Sequence, residues 1–170
     1  IRATRGLVDH LLTTDPTAAQ RGIVVAFDAR HDSERFARDV AAVIAGAGMY
    51  VHRFLTHQPT PVGAFAQKAL DAAACVVVTA SHNPPADNGY KVYVEGAAQI
   101  VPPTDVAIAA AIDAIGPAVD VLRIADDALD ADPHVHVLGD ELLERYLAAI
   151  PSARPLPHPD AAATPLRIAY

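Results

Sequence analysis

Among its 170 residues the sequence has one cysteine, Cys75, set within an apolar run. A single thiol excludes an internal disulfide framework, and a reducing cytoplasm is the expected compartment. Dense runs of lysine and arginine are also absent: 13 basic residues face 20 acidic ones, for a formal net charge of -7. Without clustered cations to neutralise successive phosphates, nucleic acid is not an expected partner. No stretch approaches the ~20 apolar residues of a membrane span, and the N-terminus lacks a basic region followed by an apolar signal core. No membrane partner is expected. No repeat at a period of tens of residues is visible. The polar stretch from Asp28 to Ser33 contains no glycine, which argues against a nucleotide-binding module with a Gly-rich first loop. Ala80-Ser81-His82 lacks the flanking glycines of a serine hydrolase's strained nucleophile elbow.

What is present is apolar: 52% hydrophobic residues and a mean hydropathy of +0.21. A chain of this size can bury one good core, removing roughly 70% of its unfolded surface. Leu7, Val8, Leu11 and Leu12 predict a first helix over residues 1–12, ended by Thr13-Thr14-Asp15-Pro16. Residues 22–27 and 75–79 are continuous β-branched runs, as expected of strands covered on both faces. Between them, helical spacing from Ser33 to Ala47, an apolar stretch at 50–55, and Thr60-Pro61 as N-cap and first-turn pair of another helix set up a β-α-β-α rhythm. Residues 90–94 alternate like a half-buried strand, 98–101 suggest a short strand, and Pro102-Pro103-Thr104 opens a helix carrying Ile108, Ile112 and Ile115. Residues 120–137 show no firm period and are expected to be loop with scattered short elements. Residues 140–150 predict a helix with Leu142, Leu143, Tyr146 and Leu147 inward. The fold class that follows is α/β: a three-layer α/β/α sandwich with a mixed, mostly parallel sheet. Residues 1–150 form the expected domain, 151–164 a Pro-rich linker, and 165–170 the truncated start of a second domain.

In such folds ligands bind where loops leave the carboxyl ends of the strands, here Asp28–Ser33 and Ala80–Asn88. Thr79-Ala80-Ser81-His82-Asn83-Pro84-Pro85 places a hydroxyl, an imidazole and an amide on adjacent residues, stiffened by two prolines. An ordinary Ser-Asn-Pro turn has the same composition. Asn88-Gly89 turns the chain so that Lys91 returns toward this edge, where it is either a site cation or a solvated strand end.

Thr79-Ala80-Ser81-His82-Asn83-Pro84, followed by Asn88-Gly89-Tyr90-Lys91-Val92-Tyr93, resembles the phosphoserine loop of the α-D-phosphohexomutases, a superfamily of phosphoglucomutases, phosphomannomutases and relatives acting on pentose phosphates. Phe27-Asp28-Ala29-Arg30-His31-Asp32-Ser33, Gln58-Pro59-Thr60-Pro61 and Gly96-Ala97-Ala98-Gln99-Ile100 are similar to three further landmarks of the family, in order, over about residues 20 to 105. The resemblance implies domain I of a longer chain that interconverts sugar 1- and 6-phosphates through a phosphoserine enzyme and a sugar bisphosphate. Ser81 would carry the phosphoryl group and, through its phosphate, supply one oxygen to Mg²⁺. His82 and Lys91 would serve proton transfer or charge compensation, and Arg30 would add a guanidinium or make a structural salt bridge. A sugar bisphosphate is the implied activator, and a phosphosugar and the remaining domains of the same chain are the implied partners.

The family's first strand, with its Gly-Leu-Arg-Gly type segment, has no counterpart before Ile1, and its metal-holding Asp triad belongs to a later domain. The resemblance therefore implies a fragment inactive by itself. Asp126, Asp127, Asp130 and Asp132 lack the arginine-containing context of that triad and are expected to be a solvated loop; His134-Val135-His136 has two imidazoles and no third ligand nearby. Two alternatives stand beside the hexomutase reading: a phosphopentomutase of the same superfamily, and a non-catalytic module that retains the serine.

Overall fold

The computed structural model describes residues 1–153. Helix α1 (Arg2–Thr14) and the short α2 (Ala18–Arg21) lead into β1 (Ile23–Phe27). The chain continues through α3 (Ser33–Gly46), β2 (Val51–Phe54), α4 (Thr60–Ala69), β3 (Ala74–Val78), β4 (Tyr90–Val94), β5 (Ala98–Gln99), α5 (Thr104–Asp113), β6 (Val135–Leu138) and α6 (Glu141–Ala153). The strands form one sheet in the order β5-β4-β3-β1-β2-β6. The block β3-β1-β2-β6 is parallel, and β4 and β5 extend it antiparallel. This is the mixed, mostly parallel sheet that the alternating pattern predicts.

Every residue of β1 and β3 is buried, because helices cover both faces. On one face Leu7, Val8 and Leu11 of α1, Val40 and Ile44 of α3 and Ile108 of α5 pack against Ile23, Val25, Val76 and Val78. On the other, Val62 and Ala66 of α4 and Leu142 of α6 pack against Val24, Ala26, Cys75 and Val77. Each large apolar side chain so enclosed contributes about 1.5–3 kcal/mol. Glycine sets the closest helix crossing: a Cβ on Gly6 of α1 would lie 2.5 Å from Ile112 Cγ1 of α5.

Several expectations are corrected. Pro59, not Thr60, is the N-cap of α4, and no side chain caps that end; Thr60 and Pro61 are its first residues, where the missing proline N–H breaks no intrahelical bond. Leu12 and Leu147 are exposed; Leu142 is buried, and Leu143 and Tyr146 pack partly buried against the core as expected. That helix runs through Pro151 to Ala153, three residues into the expected linker. The rest of the linker and the strand expected at its end lie outside the described residues. Residues 120–137 hold scattered short elements as expected, and the last of them is the strand β6, which pairs in parallel with β2. To reach it, the chain crosses over the α3 layer, where Ile124 N–H donates to Ala42 O at 3.0 Å.

Candidate active site

Sheet register brings two distant loops together. Because Phe27 stands opposite Val78 in the parallel β1–β3 pair, the next residues, Asp28 and Thr79, leave the sheet side by side. The Asp28 N–H donates to Val78 O at 3.2 Å. The Asp28 carboxylate then gathers donors from both loops: Thr79 Oγ1 (2.6 Å) and Arg30 Nε (3.0 Å) donate to Oδ2, and Ser33 Oγ (2.8 Å) and the Arg30 N–H (3.1 Å) donate to Oδ1. Burial opposes ionisation of Asp28. The Thr79 and Ser33 hydroxyls, the Arg30 amide and the Arg30 charge together outweigh it and hold the carboxyl below its ordinary range.

The Ala80–Asn88 loop is tied to this carboxylate from below. Arg30 lies mostly covered, and its Nη1 donates to Pro84 O at 2.6 Å while Nη2 donates to Ser81 O. Thr79 Oγ1 accepts the Ser81 N–H at 3.0 Å. Asn88 Nδ2 donates to His31 O at 2.7 Å and so joins the two loops a second time. At the loop's exit Thr79 N–H donates to Gly89 O at 3.1 Å. A Cβ on Gly89 would come within 2.6 Å of Thr79 O, so only glycine allows β4 to start this close.

Ser81 has φ +56, in the left-handed region that a non-glycine residue occupies at a cost of about 1–2 kcal/mol. Such conformations persist only where the surroundings fix them, and they concentrate at functional sites. Ser81 is exposed, and among the described residues its hydroxyl makes no hydrogen bond. His82 is exposed beside it. Lys91 enters β4 opposite Val77, at the same end of the sheet, half-buried and without an ion pair among the described residues. The edge thus displays an unengaged hydroxyl with an imidazole next to it and an ammonium on the neighbouring strand.

Residues 1–118 match the family model described as phosphoglucomutase/phosphomannomutase, alpha/beta/alpha domain I. The chain belongs to this family. A protein named probable phosphomannomutase, from Haemophilus influenzae, is 43% identical over 151 residues, covering 86% of this chain and 29% of that protein. One named probable phosphoribomutase, from Schizosaccharomyces pombe, is 47% identical over 113 residues, 66% of this chain and 19% of that protein. A solved structure of a candidate phosphomannomutase from Thermus thermophilus superimposes with a TM-score of 0.73 at 28% identity, covering 91% of this chain and 31% of that one. The chain therefore spans less than a third of each of these relatives.

Of the residues singled out in the sequence, the family domain brings Ser81, His82, Lys91 and Arg30 to one end of the sheet. Arg30 is placed beneath the loop, engaged with Asp28 and with the carbonyls of Ser81, Pro84 and Asp87, rather than facing out beside Ser81. Asp28, Thr79 and Ser33 were missed as site residues. The signal for Asp28 and Thr79 was their position immediately after two adjacent buried strands; Ser33 opens α3 and gave none. As expected of a solvated loop, Asp126, Asp127 and Asp130 are exposed, but the stretch is also fastened: Asp130 pairs with Arg53, whose side chain is only 3% exposed, and with Arg38 at 3.1 Å. Asp126 pairs with Arg123, and Asp132 accepts the His134 N–H at 2.9 Å. His134 and His136 stack around Tyr50, with ring centroids 5.5 and 5.0 Å away. Among the described residues no group of three His, Cys, Asp or Glu is placed to hold a metal ion.

Proposed function

We propose that this chain is the phosphoryl-carrying domain of a phosphosugar mutase, with Ser81 as donor and acceptor of the transferred phosphate. The observation that carries this reading is the exposed Ser81 hydroxyl, without a partner among the described residues, on a backbone held at positive φ by two loops. A free hydroxyl on a fixed backbone is what a reusable phosphate carrier requires, since positioning and surrounding charge supply most of the catalysis of phosphoryl transfer.

In the proposed cycle the bond from phosphorus to Ser81 Oγ breaks as a sugar hydroxyl oxygen bonds to phosphorus, and that hydroxyl loses its proton. The resulting bisphosphate turns over in the site and returns its other phosphoryl group to Ser81 Oγ, leaving the isomeric monophosphate. Lys91 and His82 are the groups of this chain able to take and return the proton or to compensate the phosphate's charge. Mg²⁺ would supply charge neutralisation at the transferred group. Phosphoserine 81 offers it one oxygen, and the remaining ligands would come from outside the described residues. We place the sugar in the hexose 1-/6-phosphate class. The relative named phosphoribomutase makes pentose phosphates the second class to test.

The test is the full-length protein, purified with Mg²⁺ and a sugar bisphosphate and assayed with glucose, mannose and ribose 1-phosphates. Peptide mass spectrometry should find phosphate on Ser81, and one of the three substrates should turn over. Activity without phosphate on Ser81 would overturn the reading. The chain of residues 1–170 alone is expected to show no turnover, because effective positioning worth about 7–11 kcal/mol depends on groups that hold the sugar from other domains.

A further inference from the structure

Both peptide groups flanking the Cα of Ser81 lead back to one carboxylate. On the amino side, the Ser81 N–H donates to Thr79 Oγ1, which itself donates to Asp28 Oδ2. On the carbonyl side, Ser81 O accepts from Arg30 Nη2, and the same guanidinium donates through Nε to Asp28 Oδ2. We propose that Asp28 and Arg30 form a two-armed bracket that locks Ser81 in its left-handed conformation, and that Arg30 is a positioning residue rather than a cation for the transferred phosphoryl group. The inference rests on the reading of Ser81 as phosphate carrier.

Three features support it. The φ of Ser81 is intrinsically unfavourable, so an external restraint must hold it, and one arm grips each of its two adjoining peptide groups. Arg30's three nitrogens are all engaged, with Asp28, Pro84 O and Ser81 O, and its charge is compensated where it stands. Finally, the planar fork of a guanidinium can reach two carbonyls and a carboxylate at once, whereas a lysine ammonium is a point charge. Asp28 in turn is braced by Ser33, the first residue of α3, so the bracket is anchored on a rigid helix and two central strands.

The decisive variant is Arg30→Lys in the full-length protein, which keeps the charge and removes the fork. For a positioning role, kcat should fall by about 100-fold, the scale of a small misplacement of a reacting group, with KM for hexose 1-phosphate nearly unchanged. Amide exchange at Ser81 and Asn83 should accelerate by about tenfold or more, with exchange in β1 and β3 unaltered. Thr79→Val should reproduce both effects through the other arm, and Thr79→Ser, which keeps the hydroxyl, should restore most of the loss. Combining Asp28→Asn with Arg30→Lys should cost little more than the worse single change, because both act through the same backbone. Wild-type kcat in Arg30→Lys, a raised KM at constant kcat, or unchanged exchange at Ser81 would each overturn the bracket. The exchange measurement needs no turnover, so the two readings fail separately. A full-length protein with no phosphate on Ser81 but faster exchange in Arg30→Lys would sink the carrier reading while the bracket's geometry stood.

Discussion

Two loops of this molecule are written in nearly the same letters. Residues 80–88 and residues 125–134 each combine alanine, aspartate, proline and histidine. In the first, the backbone is gripped from beneath by Asp28 and Arg30 while the exposed side chains of Ser81 and His82 have no hydrogen-bond partner among the described residues. In the second the arrangement is reversed: carboxylates are the engaged groups, Asp130 held by Arg38 of α3 and Arg53 of β2, and Asp126 by Arg123 three residues before it in the same segment. The first loop is held largely through its backbone and leaves Ser81 and His82 exposed; the second is fastened through its carboxylates. Composition does not separate a reactive loop from a structural one. The separation lies in which atoms the fold has already engaged.

The strongest test of that contrast is Ser81→Ala, expected to remove the phosphoprotein and lower turnover of the full-length enzyme by about a thousandfold or more. Its melting temperature should barely move, since the lost hydroxyl has no partner. A Ser81→Ala enzyme that is as active as wild type, or that unfolds, would erase the contrast. Asp130→Ala should behave in the opposite way. Removing one partner of a buried pair typically costs about 3–5 kcal/mol, but Asp130 itself is 53% exposed, so a smaller loss of about 1–3 kcal/mol is expected in urea titrations, with kcat per folded molecule intact. A catalytic defect in a stably folded Asp130→Ala protein would show that the second loop also serves the site.

Ser33→Ala probes the brace between the two levels. Losing one charge-accepting hydrogen bond to Asp28 should lower stability by about 1 kcal/mol, and faster exchange at Ser81 should accompany it if the brace reaches the loop. The smallest expected effect lies at the far end of the sheet. Burial disfavours the charged form of His52, and although its contact with Arg21 O favours that form, the neighbouring His136 does not, so its pKa is lowered. The unfolded chain therefore binds this proton more readily. Stability from this group is complete above roughly pH 6.5 and declines as pH falls below that value toward the depressed folded pKa. Because His52 is only partly covered, the change should be a few tenths of a kcal/mol. It should vanish in His52→Gln, which thermal melts between about pH 7 and pH 5 would detect.

Much of the fold is legible because burial leaves a pattern. The runs Ile23–Phe27 and Ala74–Val78 are covered on both faces and must be apolar throughout, and the helices packed on them carry apolar residues at helical spacing. Val135–Leu138 gives no such signal. Among the described residues it is an edge strand paired with β2, and its middle residues are exposed, so nothing obliges it to be apolar or to alternate. At the site, the Ser81 loop is readable as a motif, but the role of Asp28 is not. That role depends on β1 and β3 being neighbours in a register that sets Asp28 beside Thr79, a fact of tertiary pairing. The same limit explains Arg30, whose charge reads as available until its acceptors are seen in place.

The order of strands in space also has a consequence for how the chain is made. Strand β6 is the last of the six to leave the ribosome, yet it is the one that closes the edge formed by β2, among the earlier strands. Throughout synthesis of the long passage between β5 and β6, the backbone donors and acceptors of Val51–Phe54 remain open on one side. An unpaired strand edge is a template for pairing with another copy. In the folded chain Arg38 of α3 and Arg53 of β2 both hold Asp130, five residues before Val135, so the segment they fasten is the one that leads directly into the strand closing this edge.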